Sequence, residues 1–365
     1  MVGKLFKWID RLRTDESRKT AMRKINDVKQ CIPSKVPFTS QTFCPRLWER
    51  AFIAANGNVY TCCHHMPMPP SGNIHKETLE EIWNGKRLQM WRWLSAHGGL
   101  YCYEHCNLLS EAERSLIFNP ISQKKTMPYR SLRYLTILFG EFCNIQCTMC
   151  DQDHRSSMTV GLDAIKMKIR WDHIEVINIQ GGEPLAMKEC KQAYLYLTKE
   201  LGKKVNFLTN GTLINDEWAA HIAKGSLCTT ISINATSREV HEKVMRGAHW
   251  DKVIEGIHRL RDTRDRLNSQ LIVAAHFTMT EDNVHQAPDF IAFANELGFD
   301  EVKFGFDNSI PSYLKKNVVL FDDLKYRMEK ALENADVKVD IFRLRLLGLI
   351  PPDFENKWTF IGVLV

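Results

Sequence analysis

Residues 134–150, Tyr134-Leu-Thr-Ile-Leu-Phe-Gly-Glu-Phe-Cys143-Asn-Ile-Gln-Cys147-Thr-Met-Cys150, run from a short apolar segment into three cysteines. Tyr134 to Leu138 reads as a β-strand, and the cysteines follow it on a loop. Three thiolates so close in sequence suit a soft metal centre, because sulfur ligands select zinc or iron–sulfur clusters. The loop holds no fourth thiol. A cluster on Cys143, Cys147 and Cys150 would keep one iron open for another molecule, whereas zinc would need a distant fourth ligand. On the loop alone both readings stand.

Downstream, short apolar segments alternate with longer amphipathic ones. Strands are expected at Val176–Gln180, Val205–Thr209, Thr229–Ile233, Leu271–Phe277 and Val302–Phe306. Helices are expected at Cys190–Leu201, Glu217–Ala223, Arg238–Val244, Trp250–Asp262 and Pro288–Leu297. This alternation predicts an α/β fold with a parallel sheet, open or rolled into a partial barrel. The C-terminal ends of its strands are then the place for chemistry, and the cysteine loop sits at one of them.

Upstream the text is irregular. Ala51–Tyr60, AFIAANGNVY, predicts a hairpin because Asn-Gly favours a tight two-residue turn. Thr78–Leu94 predicts a helix with Leu79, Ile82, Trp83 and Leu88 as its apolar stripe. Ser115–Arg130 has two prolines and no clear periodicity, which places a boundary near residue 125. Composition is that of a globular chain, 44% hydrophobic and 25% charged, which excludes collagen-like, disordered and coiled-coil classes. The net charge of +6 sits in residues 1–36, whose ten Lys/Arg exceed four Asp/Glu by six, so the rest is balanced and no nucleic-acid-binding surface is expected. With no signal-like start and no apolar run of membrane-spanning length, a cytoplasmic location is expected. In a reducing compartment 11 cysteines point to metal or redox chemistry.

The spacing C-x3-C-x2-C resembles the radical S-adenosylmethionine (SAM) superfamily, and further motifs fall in that family's order. Gln180-Gly-Gly-Glu-Pro-Leu185 follows the second strand, Leu208-Thr-Asn-Gly-Thr-Leu213 the third, and Ile231-Ser-Ile-Asn-Ala235 ends the fourth. The segment Arg238–Leu260, REVHEKVMRGAHWDKVIEGIHRL, is similar to the helical region after that strand. The resemblance covers roughly residues 130–310 and implies a partial (β/α)6 TIM-like barrel. It implies a [4Fe-4S] cluster on Cys143, Cys147 and Cys150 that binds SAM at its open iron. Reductive cleavage would then give methionine and a 5′-deoxyadenosyl radical that abstracts a substrate hydrogen. By motif match Gly181, Gly182 and Glu183 would bind the methionine amino end, Ser232 and Asn234 the ribose or carboxylate, and Asn210 and Arg246 are further candidates. Met149 departs from the aromatic residue usual before the third cysteine.

Cys44, twelve residues, Gly57, four residues and Cys62 form a second pattern, followed by Ser71-Gly-Asn-Ile74, Leu79-Glu-Glu-Ile-Trp-Asn-Gly85 and Cys102-x3-Cys106. This resembles the auxiliary-cluster module called SPASM in its half-sized "twitch" form. The resemblance implies a second [4Fe-4S] cluster on Cys44, Cys62, Cys102 and Cys106, in a small irregular N-terminal domain. Cys62 is preferred to Cys63 by the Gly-x4-Cys count, and His64 and His65 are expected to be loop residues. A four-cysteine zinc site is the alternative. Modules of this type commonly follow the barrel, whereas here it precedes it.

The expected organisation is a basic amphipathic helix in residues 1–36, the auxiliary-cluster domain at 37–125, the barrel at 126–310 and a C-terminal extension at 311–365. The expected activity is radical modification of a peptide or protein, like ribosomal-peptide or sulfatase maturases. An enzyme oxidising or epimerising a sugar or aminocyclitol is the alternative, and a non-catalytic iron–sulfur electron carrier is the alternative of another class. A flavodoxin- or ferredoxin-type donor is the implied redox partner. Asp151, Gln152, His154, Arg155, Asp307 and Asn308 are placed to touch substrate, and His276 is expected to be a hydrogen-bonded core residue. Cys190 and Cys228 are not expected to donate hydrogen; Cys31 and Cys63 have no expected place. The helix over residues 4–30 is expected to dock on the body, with an acidic leader peptide or a membrane surface as its other possible contacts. The tail from Lys357 predicts a final buried strand or a truncated end.

Overall fold

A computed structural model of the chain describes residues 38–42, 44–62, 68–96, 100–103 and 127–360. The expected N-terminal helix, Cys31, Cys63, His64, His65, Cys106 and residues 361–365 lie outside them. The chain divides into two units. One comprises the described residues up to Thr136 with Val160–Glu175; the other comprises Ile137–Thr159 and the described residues from Val176 on.

In the first unit β1 (Phe38–Thr42) pairs antiparallel with β5 (Leu100–Tyr103), and β2 (Arg50–Ile53), β3 (Asn58–Tyr60) and β4 (Gly72–Asn73) form an antiparallel meander. The expected hairpin is β2–β3. Its turn rests on Gly57 at φ +77°, a left-handed conformation that costs glycine little. The single helix expected over 78–94 is instead two, α1 (Leu79–Trp83) and α2 (Lys86–Ala96). Thr78 starts α1 through a capping box with Glu81. The break falls at Asn84-Gly85, where the Asn84 amide both donates to the Met127 carbonyl and accepts its N–H.

β6 (Tyr134–Leu138) leads from one unit into the other. In the second unit β7 (Gln146–Cys147) lies within the cysteine loop. The following strands are β8 (Val176–Gln180), β9 (Val205–Thr209), β10 (Cys228–Ser232), β12 (Ile272–Met279), β13 (Glu301–Phe306), β14 (Lys338–Asp340) and β15 (Thr359–Phe360), while β11 (Met245–Arg246) pairs with β7. β8, β9, β10, β12, β13, β14 and β15 form one parallel sheet in that order. Helices α3 (Lys188–Leu195), α4 (Asp216–Gly225), α5 (Arg238–Val244), α6 (Trp250–Arg266), α7 (Asp289–Glu296), α8 (Ile310–Lys316), α9 (Val318–Glu333) and α10 (Phe342–Leu346) connect or follow the strands. This is the partial TIM-like architecture the motifs imply. Expected and observed strands differ by a residue or two at their ends. The sheet continues past residue 310 through β14 and β15, and the described part of the expected tail strand, Thr359–Phe360, is half-buried.

Parallel sheets between helix layers are usually apolar on both faces. Here alternate residues divide sharply. Phe207, Phe277 and Phe304 pack their rings against Tyr194 of α3, Trp218 of α4 and Phe290 of α7. The opposite parity carries Asn178, Asn206, Thr230, Ser232, His276 and Lys303. One face is core and the other is polar. Among the described residues no helix is long and apolar enough to cross a membrane.

Candidate cofactor-binding site

The cysteine loop is pinned from two sides. Cys147 lies opposite Met245 in the β7–β11 pair, and the Thr148 N–H donates to the Val244 carbonyl at 2.8 Å. Ile145, Val244, Met245 and Ala248 form a buried cluster against which Cys143, Cys147 and Met149 pack. Cys143 and Cys147 are half-buried and Cys150 is exposed. Burial, with the Cys143 and Cys150 sulfurs adding to it, pushes the Cys147 thiol up to about 12. Burial likewise raises Cys143. Such thiols keep their protons until a cationic centre displaces them, which is how iron–sulfur ligands behave.

The Gly-Gly-Glu-Pro turn lies directly on this loop. Gly181 and Gly182 have φ of +96° and +46°. A Cβ on Gly181 would stand 2.7 Å from the Gly140 carbonyl oxygen, and one on Gly182 would collide with that of Phe142. The Glu183 N–H donates to Phe142 O at 2.8 Å, and the Gly182 N–H to Gln152 Oε1 at 2.6 Å. Glycine is required here because backbone meets backbone.

Glu183, the expected contact for the methionine amino group, is fully buried, and its carboxylate is engaged by this chain. Oε1 accepts from Thr209 Oγ1 at 2.7 Å and from the Leu185 N–H at 3.0 Å; Oε2 accepts from the Asn210 N–H at 2.7 Å. Burial raises its pKa to about 7 against these stabilising bonds. The carboxylate thus ties the glycine turn to the end of β9. Asn210 in turn reaches the cysteine loop, donating from Nδ2 to Asn144 Oδ1 at 3.0 Å, with Cys143 Sγ at 3.8 Å. Thr212 closes the network, accepting from Asn144 Nδ2 at 2.9 Å and donating to Asn210 Oδ1 at 2.7 Å.

Other expected residues are less central. Ser232 is half-buried at the end of β10, but Asn234 is buried and its Oδ1 accepts the Thr278 N–H at 2.7 Å, so it braces β12. Arg246 is exposed, opposite Gln146 in register. Gln152, expected to touch substrate, faces the glycine turn. Asp307, expected to do the same, accepts from the Ser309 N–H and hydroxyl ahead of α8. Asp151, Arg155 and Asn308 are exposed and His154 half-exposed. Cys190 is fully buried. His276 Nδ1 lies 3.5 Å from Thr278 Oγ1, and the residue is part-exposed, which corrects the expected core placement. Asn144, Thr209 and Thr212 went unrecognised in the sequence, although each adjoins a motif residue.

In the first unit Cys44 is buried and its N–H donates to Ser95 Oγ at 2.7 Å. Cys62 is half-buried just after β3, and Cys102 stands opposite Thr39 on β5. Among the described residues no three His, Cys, Asp or Glu side chains converge as the ligands of one metal ion would. A cubane spreads its thiolates over separate irons. Three soft thiolates on one loop, braced by the glycine turn, fit a [4Fe-4S] cluster.

Two family profiles agree. The profile of the Radical SAM superfamily matches residues 137–294, and that of an iron-sulfur cluster-binding domain, SPASM, matches residues 44–107. A probable GTP 3′,8-cyclase of Sulfurisphaera tokodaii is 25% identical over 219 residues, 58% of this chain and 67% of the relative. A GTP 3′,8-cyclase of Peptoclostridium acidaminophilum is 29% identical over 159 residues, 39% of this chain and 48% of the relative. The matches thus span about half to two thirds of these relatives' length. Among solved structures, Streptococcus suis SuiB bound to precursor peptide SuiA aligns with TM-score 0.44 at 17% identity, covering 68% of this chain and 63% of SuiB. Native anSMEcpe with bound AdoMet and Cp18Cys peptide aligns with TM-score 0.41 at 19% identity, covering 59% and 66%.

Proposed function

We propose, for a chain that belongs to the radical SAM superfamily and carries an iron-sulfur cluster-binding module ahead of its radical SAM domain, that it is an enzyme that cleaves SAM reductively and modifies a peptide or protein. The observation that carries the reading is the network joining the cysteine loop, the Gly-Gly-Glu-Pro turn and the end of β9 through Gln152, Glu183 and Asn210. An electron carrier needs no such turn; its place against the thiols supports the reading that a cluster-bound amino acid would sit there.

Cys143, Cys147 and Cys150 would hold the first cluster, and Cys44, Cys62, Cys102 and Cys106 an auxiliary one. When bound, the cluster and SAM supply one-electron cleavage of a sulfonium bond and hydrogen abstraction from substrate. The protein's part is placement. Gly181 and Gly182 let the turn lie directly against the cysteine loop, Glu183 and Gln152 fix that turn, and Ser232 presents a hydroxyl at the end of β10. The core packing of Ile145 and Met245 shields two of the thiols from water. A small donor protein of flavodoxin or ferredoxin type would deliver the electron in a reducing, cytoplasmic setting.

A peptide is preferred to a nucleotide because the polar face of the sheet is balanced in charge. Lys303 and Arg343 are matched there by Glu301 and Asp340, whereas a triphosphate needs excess cationic charge. The test is anaerobic reconstitution with iron and sulfide analysis, followed by SAM cleavage under dithionite, with GTP as the control substrate. About eight irons per chain are expected, and about four after joint replacement of Cys143, Cys147 and Cys150. Zinc without iron, or two clusters without 5′-deoxyadenosine release, would overturn the reading.

A further inference from the structure

Asn210 follows β9 and is buried, and its carboxamide is held on both sides. Oδ1 accepts the Thr212 N–H at 3.0 Å, which makes an Asx turn, and the Thr212 hydroxyl at 2.7 Å. Gly211, between them, turns the chain at φ +77°, and a Cβ there would come 2.9 Å from Ile231 Cγ2. The Thr212 N–H can only donate, so the atom facing it is oxygen and Nδ2 faces the cysteine loop.

Two acceptors meet Nδ2 there, Asn144 Oδ1 at 3.0 Å and Cys143 Sγ at 3.8 Å. Asn144 is oriented in turn, since its own Nδ2 donates to Thr212 Oγ1 at 2.9 Å. Both lone pairs and both N–H groups of Asn210 are thereby engaged, which leaves none for the SAM contact its motif implies. Cys143 packs against the buried cluster of Ile145 and Met245, where negative charge on sulfur is poorly solvated. A donor fixed beside that sulfur favours the more negative state, and hydrogen bonds to ligand sulfurs help to set an iron–sulfur potential.

We propose that Asn210 is a positioning residue for the first cluster, whose amide N–H donates to the Cys143 sulfur and raises the cluster's reduction potential. The inference rests on the reading above that Cys143 holds this cluster.

The test is a redox titration of the reconstituted full chain, followed by EPR without SAM. The protein with Cys143, Cys147 and Cys150 jointly replaced supplies the signal of the auxiliary cluster for subtraction. Asn210→Leu keeps the branched shape and removes the donor. Its reduced-to-oxidised ratio at a fixed potential is expected to fall roughly tenfold, a midpoint about 59 mV lower for one electron. Asn144→Ala removes the other acceptor of the same Nδ2 and leaves the contact with Cys143; its ratio is expected to change by less than about threefold. If Asn210→Leu fails to load the first cluster, the smaller Asn210→Ala carries the same measurement. An unchanged midpoint, an equal shift in Asn144→Ala, a shift seen only with SAM present, or loss of the first cluster in both Asn210 variants overturns the proposal. A first cluster that forms in the unsubstituted chain and keeps its midpoint in Asn210→Leu sinks this inference alone. An unsubstituted chain without a first-cluster signal sinks the enzyme reading and this inference together.

Discussion

Gln152 Oε1 accepts the Gly182 N–H at 2.6 Å, so the residue two places after the third cysteine holds the glycine turn that meets the cysteine loop. The same contact joins two motifs 30 residues apart. Gln152→Leu removes the acceptor and leaves a part-buried N–H unmet, a loss of about 1–3 kcal/mol. The expected result is SAM binding weakened roughly 5- to 100-fold with iron content unchanged. Equilibrium binding alongside iron analysis checks it; an unaltered affinity would remove Gln152 from the site.

Gly182→Ala should act on the cluster itself. Its φ of +46° and the approach of the Phe142 carbonyl leave no space for a methyl group, and relief requires the cysteine loop to move. Iron from the first cluster is expected to fall and 5′-deoxyadenosine release to drop at least about 100-fold, roughly 3 kcal/mol or more in rate terms. Absorbance of the reconstituted protein together with product analysis reads both effects.

Arg92 of α2 holds the short turn that follows Cys44. It is fully buried, donates from Nε to the Leu47 carbonyl at 2.9 Å and stacks 4.5 Å over the Trp83 ring. Burial lowers its pKa to about 9, so it stays charged at neutral pH. Arg92→Ala should cost roughly 2–5 kcal/mol through the cavity and the unmet carbonyl. Loss of about four of the irons, with the other cluster retained, is the expected readout.

His241 predicts a pH dependence. It is fully buried against Trp250, with ring centroids 5.2 Å apart, and neither ring nitrogen has a hydrogen-bond partner among the described residues. Burial holds its pKa down at about 4 against an ordinary 6.5. The unfolded chain then takes up a proton between those values and the folded chain does not. This part of the stability is full above pH 6.5 and is lost as pH falls toward 4. His241→Phe should flatten the loss without destabilising the protein at pH 7.5, as urea unfolding at pH 7.5 and 5 would show. Part of the slope will remain, since His276 is shifted in the same direction.

Much of the fold is legible in the sequence because its causes are local. The apolar runs of β8 and β9 and the Asn-Gly turn after β2 each act over a few residues, as do the capping box at Thr78 and the three clustered thiols. The break at Asn84-Gly85 is less legible, since it is fixed by a bond to Met127, 43 residues away. β14 and β15 are short, and only their register partners hold them in the sheet.

The sequence by itself determined the alternation of strands and helices, the order of the motifs along it and the three thiols clustered after β6. Tertiary structure decided what those motifs face. Glu183 turns to Thr209 and Asn210, and Asn234 to Thr278; Asp307 caps the start of α8, and a row of polar residues from Ser232 to Asp340 lines up across the sheet. The reason is register. Spacing within a segment fixes which side chains share a face, but only the pairing of distant strands fixes which of them meet.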